Sequence, residues 1–233
     1  MSVKRKVIRV TAKLLVIHED DEKQYDLNPK KNFLDRFRKK SRDGKLKIFH
    51  DHIRIEPGMK VAEFGSGEGT YFLEQYLYRQ DVLACDIGPH YLQRLKSRYP
   101  EVRTKVVDLE KPLPFKDKEF DVVFCNATIE HLENQEAFAK EVRRVAKQYF
   151  VSCPYKHFPF EMHFRLPFIQ YLPQRLVKWL VNRFGMGNYP KGAYELILLP
   201  TKREMRGWFP DAKVFTFCYG YNLIAVKSDE VFE

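Results

Sequence analysis

Val61-Ala62-Glu63-Phe64-Gly65-Ser66-Gly67-Glu68-Gly69-Thr70 decides how the rest of this chain reads. It joins a short apolar run, Lys60–Phe64, to a loop with glycine at every second position and then to a helical pattern that continues through Arg79. Glycine lets a backbone turn sharply and approach a ligand with no Cβ in the way. A helix start beyond such a loop offers free N–H groups to a polar ligand. Strand, glycine loop and helix therefore predict a ligand-binding turn at the carboxyl end of a strand in a parallel sheet.

The pattern outward from this turn agrees. Strands are expected at Asp81–Cys85, Arg103–Val107, Phe120–Cys125 and Tyr149–Cys153, with helices at Tyr91–Arg98 and Asn134–Ala146 between them. Strand and helix in alternation predict a parallel sheet covered on both faces. Before it, residues 32–55 read as helical with a break at Asp43-Gly44. After it, Tyr194–Leu199, Ala212–Phe217 and Tyr221–Lys227 read as strands. The short Cys218-Tyr219-Gly220 link between the last two predicts an antiparallel ending.

Nicotinamide dinucleotide folds share a glycine loop, but their spacing is G-x-G-x-x-G, whereas this loop is G-x-G-x-G with Glu63 two positions before its first glycine. Asp86 follows the second strand, 21 residues after Gly65, where a carboxylate can accept both hydroxyls of a ribose. Asp108 closes the third strand. Phe120–Asn126 and Ile129-Glu130-His131-Leu132 follow in order. On these residues the chain resembles the class I S-adenosylmethionine (SAM) dependent methyltransferases, and within them the type 11 group that includes ubiquinone and menaquinone methyltransferases. The resemblance covers residues 45–153 well and 194–227 loosely.

It implies an α/β, Rossmann-like fold: a seven-stranded, mainly parallel sheet with an antiparallel last strand. A helical N-terminal cap (1–56) precedes the SAM-binding domain (57–233), which carries a lid insertion at 154–192. It implies SAM as cofactor, held by Glu63, Phe64, Gly65, Ser66, Gly67, Gly69, Asp86, Ile87, Asp108, Leu109, Asn126 and Ala127. In the family the acid at Asp86 takes the ribose, Ile87 packs on the adenine, Asp108 accepts the adenine amino hydrogen, and Asn126-Ala127 line the methionine side.

Methyl transfer from a sulfonium asks a protein for alignment, dehydration and, with an O–H nucleophile, a general base. The base candidates are His131, His163, His157, Glu161 and Tyr155, with His131 and His163 the expected catalytic pair. His157-x3-Glu161-x-His163 has the residue types of a metal triad, but its prolines and aromatics do not preorganise helical spacing, so no metal is expected. His50 and His52 straddle Asp51 and read as surface or helix-packing residues.

Substrate choice falls to residues 154–192, with five prolines and many aromatics. Their helix, Gln174–Phe184, has an apolar stripe (Leu176, Val177, Leu180, Val181, Phe184) flanked by Arg175, Lys178 and Arg183, with Trp179 at its boundary. The stripe suits either the domain's own core, as a lid, or a membrane interface through 164–184. The segment resembles an insertion of methyltransferases that act on envelope saccharides or lipids. The expected acceptor is a small molecule, anionic, lipid-linked or quinone-like.

Charge supports an anionic partner. Of the net +10, residues 1–50 hold 15 Lys/Arg against 7 Asp/Glu, and residues 154–192 hold 6 against 1. A nucleic-acid or protein substrate is the alternative, though Asn126-Ala127-Thr128-Ile129 lacks the Pro-Pro signature of amine-nucleobase methylases and there is no recognisable RNA-binding module. A SAM-binding regulator without turnover is a third reading. A chain that is 44% hydrophobic and 31% charged folds a core. With no apolar run of about 18 residues, no signal-peptide pattern and four cysteines outside any CxxC spacing, the expectation is a reduced, cytoplasmic protein, peripheral at most to the inner face of a membrane.

Overall fold

The computed structural model describes residues 6–10, 13–17, 33–69, 72 and 82–229. The chain divides into two compact units, Met1–Asp43 and Gly44–Glu233. In the first, β1 (Lys6–Val10) and β2 (Lys13–Ile17) pair antiparallel, from Lys6↔Ile17 to Val10↔Lys13. Most of the helix expected through Arg79 lies outside the described residues.

Helix α1 (Phe33–His52) runs without the break expected at Asp43-Gly44. A glycine inside a helix costs about 1 kcal/mol against alanine, but here its bare Cα is used: a Cβ on Gly44 would run into the ring of Phe217. His50 is exposed, and His52 meets the Ile48 carbonyl at 2.9 Å, so both serve the helix, as expected.

The second unit is built on a seven-stranded sheet. Its strands are β3 (Val61–Phe64), β4 (Val82–Asp86), β5 (Arg103–Val106), β6 (Phe120–Asn126), β7 (Ala146–Pro154), β10 (Lys213–Phe217) and β11 (Asn222–Lys227). Their order is β10-β11-β7-β6-β3-β4-β5. β7, β6, β3, β4 and β5 are parallel neighbours, and β11, last in the sequence, runs antiparallel to both β7 and β10. Helices α2 (Pro89–Arg98) and α3 (Gln135–Val145) fill the crossovers, and α5 (Lys202–Trp208) leads into β10. Asn134 caps α3 by accepting the Ala137 N–H, and Thr201 and Glu204 form a capping box on α5.

Both faces of the sheet are covered, so its central strands are apolar on both sides. On one face Phe72, Phe124 and Phe150 stack in a row, with centroids 4.0 and 5.3 Å apart. Phe49 of α1 stands edge-on to all three. The other face is led by Phe64, Phe138, Tyr149, Val151 and Leu223. Cys85, Cys125 and Cys153 sit inside these strands and Cys218 in the β10–β11 turn; all four are buried and free. Burial pushes the Cys85 thiol up to about 12 and raises Cys125 and Cys153 as well, so they are packing groups and not nucleophiles.

Residues 155–199 form an insertion with its own small core: Phe164, Ile169, Val177, Val181, Ile197 and Leu199. It holds the short pair β8 (Phe160–Glu161) and β9 (Leu166–Pro167) and helix α4 (Gln174–Phe184). The strand expected at Tyr194–Leu199 is absent: that stretch is irregular. Its backbone is satisfied elsewhere. Leu198 N–H donates to the Glu130 carbonyl at 2.7 Å, Gln135 Nε2 donates to the Leu198 carbonyl at 2.7 Å, and Gln174 Nε2 donates to the Ile197 carbonyl at 3.0 Å.

Candidate active site

The carboxyl ends of β3, β4, β6 and β7 leave the sheet on one edge, and the predicted site residues gather there. After β3, Gly65 and Gly67 take left-handed φ values of +72° and +55°, which L side chains rarely adopt. Gly65 is further constrained, because a Cβ there would strike the side chain of Thr128. Gly67 faces open space instead. The N–H groups of Gly65 and Ser66 both donate to the Cys85 carbonyl, at 2.9 and 3.0 Å, which ties this loop to the end of β4.

Asp86 completes the tie. One carboxylate oxygen accepts the Gly67 N–H at 2.9 Å and the other the Gly88 N–H at 2.8 Å. Each oxygen keeps a lone pair for a further donor. Gly88 itself, and not Asp86, is the N-cap of α2. Next to the carboxylate, Ile87 is 62% exposed, an aliphatic side chain held in solvent. Glu63 and Phe64 are buried under the loop, and Ser66 Oγ is buried with no hydrogen-bond partner among the described residues.

Asp108 stands two residues beyond β5. It accepts the Glu110 N–H at 3.0 Å and pairs with Lys111 at 2.9 Å, and the Lys111 bond holds its carboxyl below the usual range. Leu109 is buried beside it. Behind this turn, Arg144 donates to the carbonyls of Leu113 and Phe115 and to both oxygens of Glu141. Glu141 in turn accepts the Leu113 N–H at 2.7 Å. At the end of β6, Asn126 Oδ1 accepts from Ser152 Oγ at 2.7 Å and from Lys45 Nζ at 2.5 Å. Ala127 follows with a left-handed φ of +53°, its N–H donating to the Ser152 carbonyl.

The expected catalytic pair meets. His131, in the 3-10 turn Ile129–His131, and His163, beyond β8, have ring centroids 5.5 Å apart and nearly perpendicular planes. Of the other base candidates, Glu161 joins them: its buried Oε1 takes His163 Nδ1 at 2.6 Å and its Oε2 accepts the Phe164 N–H at 2.7 Å. Burial pulls on the His163 imidazolium, but the bond to Glu161 outweighs it and leaves the ring more basic than usual. His157 is elsewhere, exposed and bonded to the Tyr171 hydroxyl at 2.8 Å. Tyr155 is partly buried, its N–H donating to the Tyr221 carbonyl.

Glu130 carries no role in the sequence reading and belongs to this cluster. It is fully buried, and neither carboxyl oxygen has a hydrogen-bond partner among the described residues. Burial holds its carboxyl above the usual carboxylate range, while His131, His163 and Lys45 pull the other way. The available signal was an acid between Ile129 and Leu132, two positions that read as buried.

The comparisons with known proteins agree with this geometry. Residues 62–149 match a family model described as "Methyltransferase domain". The chain is 32% identical over 98 residues to a malonyl-[acyl-carrier protein] O-methyltransferase of Halorhodospira halophila, which covers 40% of this chain and 32% of that protein. The chain thus spans about a third of the length of the curated relatives it matches. Among solved structures, a SAM-dependent methyltransferase from Mesorhizobium loti aligns over 78% of this chain and 96% of its own, with TM-score 0.57 and 13% identity. Magnesium protoporphyrin IX methyltransferase from Synechocystis, solved with bound S-adenosylhomocysteine, aligns over 90% and 94% at TM-score 0.53 and 16% identity. The structural matches establish the fold, and the sequence match adds that residues 62–149 resemble a methyltransferase domain.

Proposed function

We propose that the chain transfers the methyl group of SAM to a small-molecule acceptor. The observation that carries this is the Asp86 carboxylate, which bridges the Gly67 and Gly88 N–H groups and keeps lone pairs facing the glycine loop. The residues present fit the cofactor. Gly67 leaves open space, Ser66 Oγ is a buried polar group with no partner among the described residues, and Ile87 is an exposed apolar surface beside an acid that can take a ribose.

Bound SAM supplies a methyl group already activated by its sulfonium. The chain's own work is then to bind, align and dry. Asp86 would accept the ribose hydroxyls, Ile87 would pack on the adenine, and Asp108 and Leu109 would hold it from the turn after β5. Glu63, Phe64, Gly65 and Gly69 shape the loop, and Asn126 and Ala127 flank the methionine side. His131 and His163 border the acceptor side, where the Glu161-supported imidazole can take a proton from a hydroxyl nucleophile.

The acceptor we favour is anionic or lipid-linked and reached at an anionic membrane surface. α4 buries Val177 and Val181 in the insertion's core but leaves Leu176, Trp179 and Phe184 exposed, with Phe168, Tyr171 and Leu172 beside them. This supports the interfacial half of the sequence expectation more than the packed-lid half. From Met162 to Tyr194 there is no Asp or Glu and there are five Lys/Arg. Exposed aromatics within a wholly cationic segment suit lipid headgroups. No helix among the described residues is long and apolar enough to cross a membrane.

Calorimetric titration with SAM and S-adenosylhomocysteine tests the first claim. Micromolar binding of both, lost in Asp86→Ala, is the expected result. Binding of NADH in their place would sink it. Co-sedimentation with vesicles tests the second: binding to vesicles with about 30% phosphatidylserine and not to neutral ones is expected, and equal or absent binding to both overturns it.

A further inference from the structure

We propose that Glu130, His131 and His163 bind one divalent first-row transition-metal ion, such as Zn2+, at the acceptor side of the site. Each contributes a donor atom, and the three donors lie within 4.8 Å of one another. Two imidazole nitrogens and a carboxylate oxygen form a donor set suited to such ions. Three protein ligands leave a coordination position open. Metal–ligand bonds of about 2.0–2.2 Å need the donors somewhat nearer, and His131 and His163 are both only partly buried.

Two independent observations point to a cation. The first is Glu130. A carboxyl group buried completely, with neither oxygen hydrogen-bonded among the described residues, is costly unless something compensates it. One of its oxygens lies in the same cluster as a nitrogen of each imidazole, where the ion would sit. The second is the support behind His163. Glu161, itself buried, holds Nδ1 at 2.6 Å and is fixed in turn by the Phe164 N–H. That leaves Nε2 as the free donor. A carboxylate behind a ligating histidine is the usual outer support of a metal site, where it sets the tautomer and orients the ring. Glu195 adds a further negative charge felt at His163, while Lys45 is the opposing cation felt at Glu130.

The pattern His157-x3-Glu161-x-His163, from which no metal was expected, is not the set that meets here. His157 pairs with Tyr171 instead, Glu161 stands behind a ligand, and Glu130 and His131 come from the turn after β6. With the ion in place the imidazoles are ligands and no longer bases. A hydroxyl or carboxylate oxygen of the acceptor can then take the open position.

The inference is independent of methyl transfer, and the test keeps the two apart. The full chain is stripped with a chelator and titrated with Co2+, followed by its visible d–d absorption and by displacement with Zn2+. One equivalent per chain is expected. Glu130→Gln and His163→Ala should weaken Co2+ binding at least 100-fold. Glu161→Gln should weaken it about 10- to 100-fold, and the exposed-site control His50→Ala not at all. Far-UV circular dichroism and cooperative urea unfolding of every variant report folding, and SAM titration is read separately. No band at stoichiometric Co2+, or a band undiminished in folded His163→Ala and Glu130→Gln, overturns the site. Co2+ binding without SAM binding leaves the metal site standing and removes the methyltransferase reading.

Discussion

The loops after β3 and β4 and the loops after β6 and β7 leave the same edge of the sheet, yet they treat polar groups in opposite ways. On the first side the polar work is done by backbone: Gly65, Ser66, Gly67 and Gly88 all donate N–H groups, and a single side chain, Asp86, gathers two of them. On the second side it is done by side chains. Gln135 holds the carbonyls of Ile129 and Leu198 at 2.8 and 2.7 Å, Glu161 holds His163, and Glu130 stays buried without a hydrogen-bond partner among the described residues. A backbone-built site is rigid and indifferent to most substitutions, which suits a ligand that never changes. A site built of side chains can be re-specified one residue at a time, which suits an acceptor that differs between relatives.

The largest effect expected from breaking this contrast is at Asp86. Asp86→Ala removes the acceptor of two charge-assisted ribose hydrogen bonds worth about 1.5–3 kcal/mol each, so SAM affinity should fall at least about 100-fold by calorimetry while Co2+ binding is unchanged. Next is Gln135→Leu, which leaves two carbonyls without their donor. It should cost about 2 kcal/mol in urea unfolding and weaken Co2+ binding more than SAM binding. Equal loss of both would mean the two halves are not separately built.

Acid offers a third probe. The bond from Arg144 holds the Glu141 carboxyl below its ordinary value, and Lys111 does the same for Asp108. A carboxyl depressed in the folded state stabilises above its unfolded value, near 4, and that contribution fades as pH falls through the folded one. Unfolding free energy should therefore drop below about pH 4, and Glu141→Gln should flatten the drop at a cost near 1 kcal/mol at neutral pH. In the opposite direction, Glu130→Leu should raise the stability of metal-free protein by about 1 kcal/mol, because an apolar group replaces a buried carboxyl, while abolishing Co2+ binding. Smallest of all, Trp179→Ser should change stability by less than about 0.5 kcal/mol, since the indole is 56% exposed, and should still reduce vesicle binding.

The same contrast explains what could be read from the chain. The glycine loop, Asp86 and the alternating strands are local patterns, and local patterns are legible: β6 and β7 and helices α2 and α3 fall within a few residues of their expected bounds. The reading failed where tertiary partners decide. Tyr194–Leu199 has the composition of a strand, but Gln135, Gln174 and the Glu130 carbonyl claim its hydrogen bonds. Gly44 looked like a break because nothing nearby in sequence reveals Phe217. The stripe on α4 was legible as a stripe, but its division between a core (Val177, Val181) and an exposed rim (Leu176, Phe184) depends on residues 20 positions away. Glu130 was passed over because a buried acid has no periodic signature.

The two outer strands of the sheet have a consequence for crowding. Among the described residues, β5 and β10 each leave one row of backbone hydrogen-bonding groups without a neighbouring strand, the template on which sheets of different molecules can fuse. Exposed Arg103 and Lys105 guard one rim, and exposed Lys213 the other. Two copies approaching rim to rim would bring like charges together before any strand could pair. That repulsion between rims favours colloidal stability at high concentration.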